Sequence, residues 1–176
     1  MEKTSAQIID FTLLYNKHKK GLYNFACKML SDKLTAEDLI HTIFLRLFEN
    51  IDKLKNPESV AFWLYRSLRN EIYMIYRSKK IKNDRYNVED VYEIEKMDSK
   101  NIESEIEMND IKEIIKGELD KIDKAQKEVF LLKEYGKFSY KEIAEIMDIN
   151  ENLVKSRLFK TRQKLIERMS KIIDKD

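Results

Sequence analysis

The chain has few of the residues that interrupt helices, with three glycines and one proline among 176 residues. Tight β-turns rely on glycine, proline and a few polar residues, so the sequence has little with which to build hairpins. Leucine, isoleucine, lysine and glutamate are abundant instead. We therefore predict an all-α fold.

Cysteine and long apolar runs are scarce as well. Cys27 stands alone, so the sequence offers no disulfide framework, and a reducing compartment is expected. Its apolar surroundings at 22–30 favour a small buried side chain over a reactive thiol. No apolar run approaches the roughly 20 residues of a membrane span, and no signal peptide opens the chain. We expect a cytoplasmic protein without membrane insertion.

Histidine is the third residue in short supply, which limits the chemistry that the chain can perform. His18 and His41 are the only histidines, and no His/Cys cluster suggests a metal site. The sequence has no glycine-rich phosphate loop and no nucleophile with an evident base partner. The adjacent acids Glu37 and Asp38 fit helix N-terminal charges better than a catalytic pair. We predict no catalytic residue, no metal and no cofactor, and hence no enzyme.

What the sequence does have is a strong pattern of charge, hidden by a net charge of +2. The segment 65–85 carries seven basic and two acidic residues, and the segment 86–110 carries nine acidic and two basic residues. The segment 151–171 is basic again, with seven basic and two acidic residues. Two basic blocks around an acidic one predict nucleic-acid binding at two separate places.

This pattern divides the chain into two small helical domains and a linker. We assign residues 1–85 to an N-terminal helical bundle, 86–110 to an acidic flexible linker, and 111–176 to a C-terminal helix-turn-helix domain. The linker is polar and weakly periodic, so partial disorder is expected there. Each domain is long enough for only a modest core.

Local signals predict where the helices begin. In the N-terminal domain, helices are expected near 5–19, 21–30, 36–50 and 57–80. Thr35 with Asp38 resembles a capping box for the third, and Asn56 before Pro57 suits the start of the fourth. In the C-terminal domain, Asp123 is expected to cap a helix that ends at Gly136 as its C′ residue.

The segment 138–168 predicts two short helices joined by a tight turn. Ser139, with Glu142 three residues later, forms a capping box before an apolar run. The segment 148–150 interrupts that run, and Asn150 can cap the second helix. The buried side of the second helix is predicted to hold Val154, Leu158, Leu165 and Met169.

The opposite side of the second helix favours DNA reading in the major groove. It carries Lys155, Ser156, Phe159, Lys160, Arg162 and Gln163. Cations, a hydroxyl, an amide and an exposed ring together can contact phosphates and base edges. A solvated helical hairpin is the simpler interpretation, but it does not explain the exposed Phe159.

The fourth helix allows two interpretations. Its core stripe would be Trp63, Leu64, Leu68, Ile72 and Ile75. The remaining polar and aromatic residues could bind single-stranded DNA, where rings stack on bases and arginine binds phosphate; these are Arg66, Asn70, Tyr73 and Tyr76.

Four stretches of this sequence together resemble bacterial RNA polymerase sigma factors of the extracytoplasmic-function type. They are LYNFACKML (22–30), TAEDLIHTIFLRLFENIDKL (35–54), AFWLYRSLRNEIYMIYRSKK (61–80) and the block 124–165 with VKSRLFK. Their order and spacing are those of the family, and only the linker and the ends are unmatched. The resemblance implies that 1–85 is sigma region 2 and 111–176 is sigma region 4.

The resemblance also implies partners and residue roles. The helix at 36–49 would dock on the β′ clamp helices of the polymerase core through Asp38, His41, Phe44 and Arg46. The loop 54–59, which includes Asn56, would accept a base flipped out of the -10 element. Trp63, Arg66 and Asn70 would support this loop and hold the opened strand. Lys155, Ser156, Phe159 and Lys160 would read the -35 element. The β flap and an anti-sigma factor are further expected partners, and the free protein is expected to be a monomer.

The sequence departs from the family at two positions. His41 replaces the usual glutamine and Thr42 replaces the usual acid, so the polymerase contact is expected to be tuned differently. Two other functions stay open at this point. The chain could be an autonomous helix-turn-helix regulator that binds operator DNA as a dimer, or a helical adaptor with no DNA role.

Overall fold

The computed structural model describes residues 3–54, 56, 59–86 and 106–173, and within these ranges the chain is helical and has no β-strand. The helices are α1 (Ser5–Leu30), α2 (Lys33–Glu49), α3 (Ser59–Tyr86), α4 (Ile106–Asp120), α5 (Lys124–Glu134), α6 (Tyr140–Met147) and α7 (Glu151–Ile173). A short 3-10 turn, Ile51–Lys53, follows α2. The predicted all-α fold is confirmed. None of the described helices is long and apolar enough to cross a bilayer.

The N-terminal unit consists of α1, α2 and α3, and its first helix differs from the prediction. We expected two helices, at 5–19 and 21–30, but α1 runs unbroken from Ser5 to Leu30. Gly21 lies inside it because neighbouring groups come very close. A Cβ there would lie 2.7 Å from the Tyr65 hydroxyl and 3.5 Å from the Tyr135 carbonyl oxygen. Gly21 therefore serves helix packing rather than a break in the helix.

The start of α2 corrects a second prediction. Asp32, and not Thr35, is the N-cap: its carboxylate accepts a hydrogen bond from the Leu34 amide at 3.1 Å and another from the Thr35 hydroxyl. A carboxylate can accept from both donors at once, so it displaces the weaker hydroxyl cap. The start of α3 matches the prediction more closely. The amide and hydroxyl of Ser59 donate to the carbonyl oxygen of Asn56 at 3.2 and 2.7 Å.

The segment predicted as a linker, 86–110, is partly helical. α3 continues to Tyr86, beyond the expected end near residue 80, and α4 begins at Ile106. The rest of the predicted linker, 87–105, lies outside the described residues. The regular part of the chain is therefore longer at both edges of this segment than the charge pattern suggested.

The C-terminal unit consists of α4 to α7 and follows the predicted punctuation. The Asp123 carboxylate accepts hydrogen bonds from the amides of Ala125 and Gln126 at 3.0 and 3.2 Å, which confirms the cap of α5. Gly136 stands at C′ as predicted, but the left-handed conformation falls on Lys137, with φ of 57°. Gly136 is needed for space, because the Phe138 ring folds back onto it.

The two units pack directly against each other, and their buried side chains form one continuous apolar cluster. The Tyr65 ring from α3 meets the Phe138 ring edge-on, with centroids 5.1 Å apart. The ammonium group of Lys28 lies 5.3 Å from the centroid of the Tyr135 ring. Both contacts join the N-terminal unit to the segment that connects α5 and α6.

Gly136→Ala should destabilise the protein. The added Cβ would lie 2.4 Å from ring carbons of Phe138 and 2.7 Å from the Leu132 carbonyl oxygen. Overpacking of this kind costs about 1–3 kcal/mol, and thermal unfolding should therefore show a Tm lower by several degrees.

The matched control for this change is Gly117→Ala. An added Cβ there meets nothing within 4 Å, and Gly117 lies inside α4. Alanine is preferred over glycine in a helix interior by about 0.5–1 kcal/mol, so this variant should be at least as stable as the wild type. Equal Tm values for the two variants would contradict the packing described around Phe138.

Candidate nucleic-acid-binding surfaces

The C-terminal helix pair has the turn that the sequence predicted. The Glu142 amide donates to the Ser139 hydroxyl oxygen at 3.2 Å, and the Ser139 amide donates to the Glu142 carboxylate at 2.7 Å. Asp148 takes a left-handed conformation, with φ of 55°, and ends α6. The Asn150 side chain then accepts a hydrogen bond from the Leu153 amide at 2.8 Å. Both predicted caps are confirmed, and they fix the direction in which α7 leaves the turn.

The buried face of α7 anchors this helix on the rest of the C-terminal unit. Val154, Leu158 and Leu165 are buried as predicted, whereas Met169 is half-buried. Thr161 is fully buried and was not predicted; its hydroxyl lies 3.2 Å from the carbonyl oxygen of Gln126 in α5. Its four-residue spacing from Leu165 was a signal that could have found it.

The other face of α7 is exposed along its length. All six residues predicted for it are exposed: Lys155, Ser156, Phe159, Lys160, Arg162 and Gln163. The Phe159 ring is 64% exposed and has cationic neighbours. A ring in this setting is available for apolar contact with a partner, while the exposed lysines offer positive charge to phosphates.

A cavity of about 340 Å³ lies where the N-terminal part of α3 meets the end of α2. It is lined by Leu47, Asn50, Lys53, Leu54 and Trp63. Trp63 is half-buried, so one side of its indole belongs to the packing of the unit and another faces this cavity.

The polar residues predicted for the same region lie on or beside α3. Arg66 and Asn70 are exposed one and two turns beyond Trp63, and Asn56 is exposed in the loop before the helix. The guanidinium of Arg66 lies 5.8 Å from the centroid of the Phe62 ring. The chain thus presents a cation and an amide along a helix that starts at a cavity.

The surface predicted on α2 requires one correction. Asp38, His41 and Arg46 are exposed, but Phe44 is 3% exposed and packs against the Tyr15 ring at 4.7 Å between centroids. Its side chain belongs to the core and cannot offer a docking contact.

Two further features of α2 were not foreseen. Leu45 is 63% exposed, and it lies one turn after His41 on the same side of the helix. The Arg46 guanidinium forms an ion pair with Glu71 of α3 at 2.5 Å, so this cation is held towards the neighbouring helix.

The polar centre of the packing between the two units was also missed from sequence. Glu128 in α5 is fully buried. Its carboxylate accepts a hydrogen bond from Arg69 Nε and another from the Tyr73 hydroxyl at 2.7 Å, both on α3. The side chain of Arg69 is itself only 19% exposed. A buried ion pair therefore joins the two helical units within a mainly apolar contact.

One sequence signal could have found this contact. The segment 129–132 in α5 is apolar at four consecutive positions, and four consecutive residues point to all sides of a helix. A helix that is apolar all round must be covered on more than one face. Lys124, Glu128, Leu131 and Tyr135 then form a stripe at helical spacing, and three of them contact the N-terminal unit.

Burial dominates the electrostatics of this contact. It raises the pKa of Glu128 above the usual glutamate value, although Arg69, Tyr73 and Arg157 each oppose the rise. Burial, together with the hydrogen bond to Glu128, raises the pKa of the Tyr73 phenol as well. The attraction between the carboxylate and its neighbours is therefore weaker than the free energy lost when the carboxylate leaves water, so burial disfavours the ionised form of Glu128.

Comparison with known proteins relates these surfaces to a family. Residues 14–82 match Sigma-70 region 2, and residues 112–165 match Sigma-70 region 4. The ECF RNA polymerase sigma factor SigM of Bacillus subtilis is 29% identical over 152 residues, which cover 86% of this chain and 90% of SigM. The RNA polymerase sigma factor SigV of the same organism is 28% identical over 144 residues, covering 81% of each chain.

Solved structures give the same fold. The sigma factor RpoE of Bartonella quintana, in complex with the anti-sigma factor NepR, superposes with a TM-score of 0.71 and 23% identity. The match covers 92% of this chain and 97% of RpoE. CnrH in complex with the cytosolic domain of CnrY superposes with a TM-score of 0.60.

The raised pKa of Glu128 predicts a stability that changes with pH. The folded protein holds the carboxyl proton more tightly than the unfolded chain, so folding stability falls as pH rises above the ordinary glutamate value of about 4.3. The glutamine side chain in Glu128→Gln does not titrate, so the difference in unfolding free energy between the wild type and this variant isolates the effect of the Glu128 carboxyl from that of other titrating groups. We expect the unfolding free energy of the wild type, relative to that variant, to increase as pH falls from 7.5 towards 5. Denaturant unfolding at several pH values measures this; parallel curves, or a difference that shrinks on acidification, would contradict it.

Proposed function

The chain belongs to the sigma-70 family, as an RNA polymerase sigma factor of the extracytoplasmic-function type, and we propose which of its surfaces carry out each part of promoter recognition. It directs the polymerase core to specific promoters, and its partners are that core and promoter DNA. The observation that carries this function is the presence of both Sigma-70 regions, in order, in one chain. Nothing favours the autonomous regulator, which would not require region 2.

Recognition of the -35 element is assigned to the exposed face of α7. Lys155, Ser156, Phe159 and Lys160 are exposed together at positions i, i+1, i+4 and i+5 of that helix. Phe159 would pack on thymine methyl groups, and the lysines would bind phosphates and base edges. The capped turn around Asn150 supports this proposal, because a reading helix must be held in one orientation.

Recognition and opening at the -10 element are assigned to the start of α3. The cavity beside Trp63 would take a base flipped out of the duplex, with Asn56 in the loop ahead of it. Arg66 and Asn70 would hold the opened strand through phosphate and base contacts. The cavity and the exposed polar residues along one helix support this proposal.

Docking on the core polymerase is assigned to α2. Asp38 and His41 would contact the β′ clamp helices, and Leu45 would add apolar area beside them. Phe44 acts from within by fixing α2 against α1. Arg46 would contribute to the clamp contact from its ion pair with Glu71. The C-terminal unit would contact the β flap.

The remaining expectations follow from this activity. A sigma factor works by binding and positioning, so the protein needs no chemistry of its own. Its polymerase partner implies a cytoplasmic location. The two solved structures named above are complexes, with the anti-sigma factor NepR in one case and with the cytosolic domain of CnrY in the other. This supports the proposal that the protein is also regulated by an anti-sigma factor.

Phe159→Ala should change the base preference at one -35 position with little change in salt dependence. Loss of an apolar base contact costs roughly 1–3 kcal/mol at the base concerned, whereas loss of a phosphate contact weakens all sequences alike. Run-off transcription with core polymerase on a library of -35 variants measures both effects. Arg162→Ala is the matched control: this exposed cation lies beyond the four proposed reading residues and pairs with Glu134, so its loss should leave the base preference unchanged. Promoter-independent transcription by the wild type would contradict the proposed function itself.

Asn70→Ala should slow promoter opening while leaving polymerase binding intact. Asn70 is exposed and its side chain is not part of the core, so the variant should fold normally. A premelted -10 region removes an unstacking cost of a few kcal/mol. It should therefore rescue much of the lost activity. Equal loss on duplex and premelted templates would remove Asn70 from the opening step.

A further inference from the structure

A second group of residues on α3 has side chains that suit binding to nucleic acid, but two of them are already paired within the protein. Arg69 and Tyr73 follow Arg66 and Asn70 at helical spacing, and Arg77 continues the same side one turn later. Arg69, Asn70, Tyr73, Met74 and Arg77 line an open groove of about 490 Å³. Two guanidinium groups, an amide and a ring are the groups with which proteins track a single strand.

Glu128 from the other unit occupies the inner end of this group. Its carboxylate is held by the Arg69 guanidinium and the Tyr73 hydroxyl and is fully buried. Guanidinium groups bind carboxylate and phosphate with the same planar, charge-assisted hydrogen bonds. The Arg69 guanidinium also lies 4.5 Å from the centroid of the Tyr73 ring, so a cation and a ring are presented together. Glu128 thus stands where a backbone phosphate could bind.

We propose that Arg69 and Tyr73 form a further contact for the opened promoter strand, and that Glu128 masks this contact by taking the place of a phosphate. Arg69 binds the backbone, and the Tyr73 ring stacks on a base. Glu128 and the strand compete for the same donors, so the Glu128 contact and strand binding at this point exclude each other. This proposal rests on the proposed sigma activity.

The geometry of a promoter favours such a competition. Elements centred at -35 and -10 are separated by roughly 25 base pairs, or about 85 Å at 3.4 Å per pair. A compact protein of this length has a radius of gyration of only about 16 Å. Two units packed against each other cannot engage both elements of straight DNA. Binding at both elements separates the units, withdraws Glu128 and frees Arg69 for the strand.

The mask is also of a kind that can be displaced. In a buried ion pair, the attraction between the charges is about equal to the free energy lost on removing them from water. Here burial raises the pKa of the carboxyl, so the ionised carboxylate is not strongly held. Exchange of Glu128 for a phosphate keeps the hydrogen bonds of Arg69 and lets the carboxylate regain water. The exchange therefore requires no unpaired buried charge at its end.

Binding of the free, full-length protein to a fluorescent 20-nucleotide single strand tests the mask. Glu128→Gln keeps the shape of the side chain and removes its charge. We expect it to bind the strand about five- to tenfold more tightly, because the strand no longer competes with a carboxylate for Arg69 and a larger fraction of molecules has this donor free. The salt slope should also steepen by about 0.7, the value for one more phosphate contact with a single strand.

Glu134→Gln is the matched control. Glu134 lies on the same helix, and the change alters net charge equally, but its ion pair is with Arg162 inside the C-terminal unit, at 3.4 Å. Its affinity for the strand should stay within about twofold of the wild type, since the mask is untouched. Equal gains for Glu128→Gln and Glu134→Gln would show an effect of net charge alone and overturn the mask.

The double variant Arg69→Ala, Glu128→Gln separates the two halves of the proposal. Loss of the gain supports Arg69 as the phosphate contact, whereas a double variant that still binds tightly overturns that assignment. Should Glu128→Gln fail to fold, Tyr73→Phe removes only the hydroxyl on Glu128 and keeps the ring for stacking. A smaller gain in affinity is then expected, and no gain overturns the mask. The oligonucleotide assay uses no polymerase, so its failure leaves promoter-dependent run-off transcription as an independent result, and the reverse holds too.

Discussion

A carboxylate buried between two helical units is the interaction on which the arrangement of this protein depends. Glu128 is fully buried, and its hydrogen bonds to Arg69 and Tyr73 keep its charge from being stranded. Such a group adds little net stability, but it penalises every alternative packing in which the charge would lack partners. The apolar contacts around it, such as that between Tyr65 and Phe138, hold the units together.

Much of the fold follows from local signals in the sequence, because those signals involve neighbouring residues. The capping box of Ser139, the cap at Asn150 and the exposed face of α7 were all predictable from spacing. The predicted N-cap of α2 was wrong because two nearby residues could take that role. Asp32 caps the helix instead of Thr35, since a carboxylate accepts two hydrogen bonds. Gly21 was predicted to lie at a break between two helices, but it stands inside α1 where the Tyr65 hydroxyl packs close to the backbone. This contact between helices is not visible in the sequence.

The candidate sites were predictable as far as they depend on one helix. The exposed positions of Asp38, His41 and Lys155 agree with helical spacing, whereas Phe44 turned inwards because Tyr15 of another helix covers it. The pairing of Arg69 with Glu128 joins residues 59 positions apart. The apolar run 129–132 indicates that α5 is covered on more than one face, but not which residues cover it. Helical periodicity does not predict which residues of one unit meet the other. In this protein, the residues that join the two units include those that we propose to bind DNA.

In the free protein the two units are packed against each other, and we expect them to separate when the promoter is engaged. Fluorescence energy transfer between the two units measures this separation. Dyes can be attached at Lys20→Cys and Lys137→Cys in a Cys27→Ser background. Both lysines are exposed and flank the close approach of Gly21 to Tyr135. We expect high transfer efficiency in the free protein and a large fall when core polymerase and promoter DNA are added together. Transfer that is already low in the free protein, or that stays high in the promoter complex, would contradict this expectation.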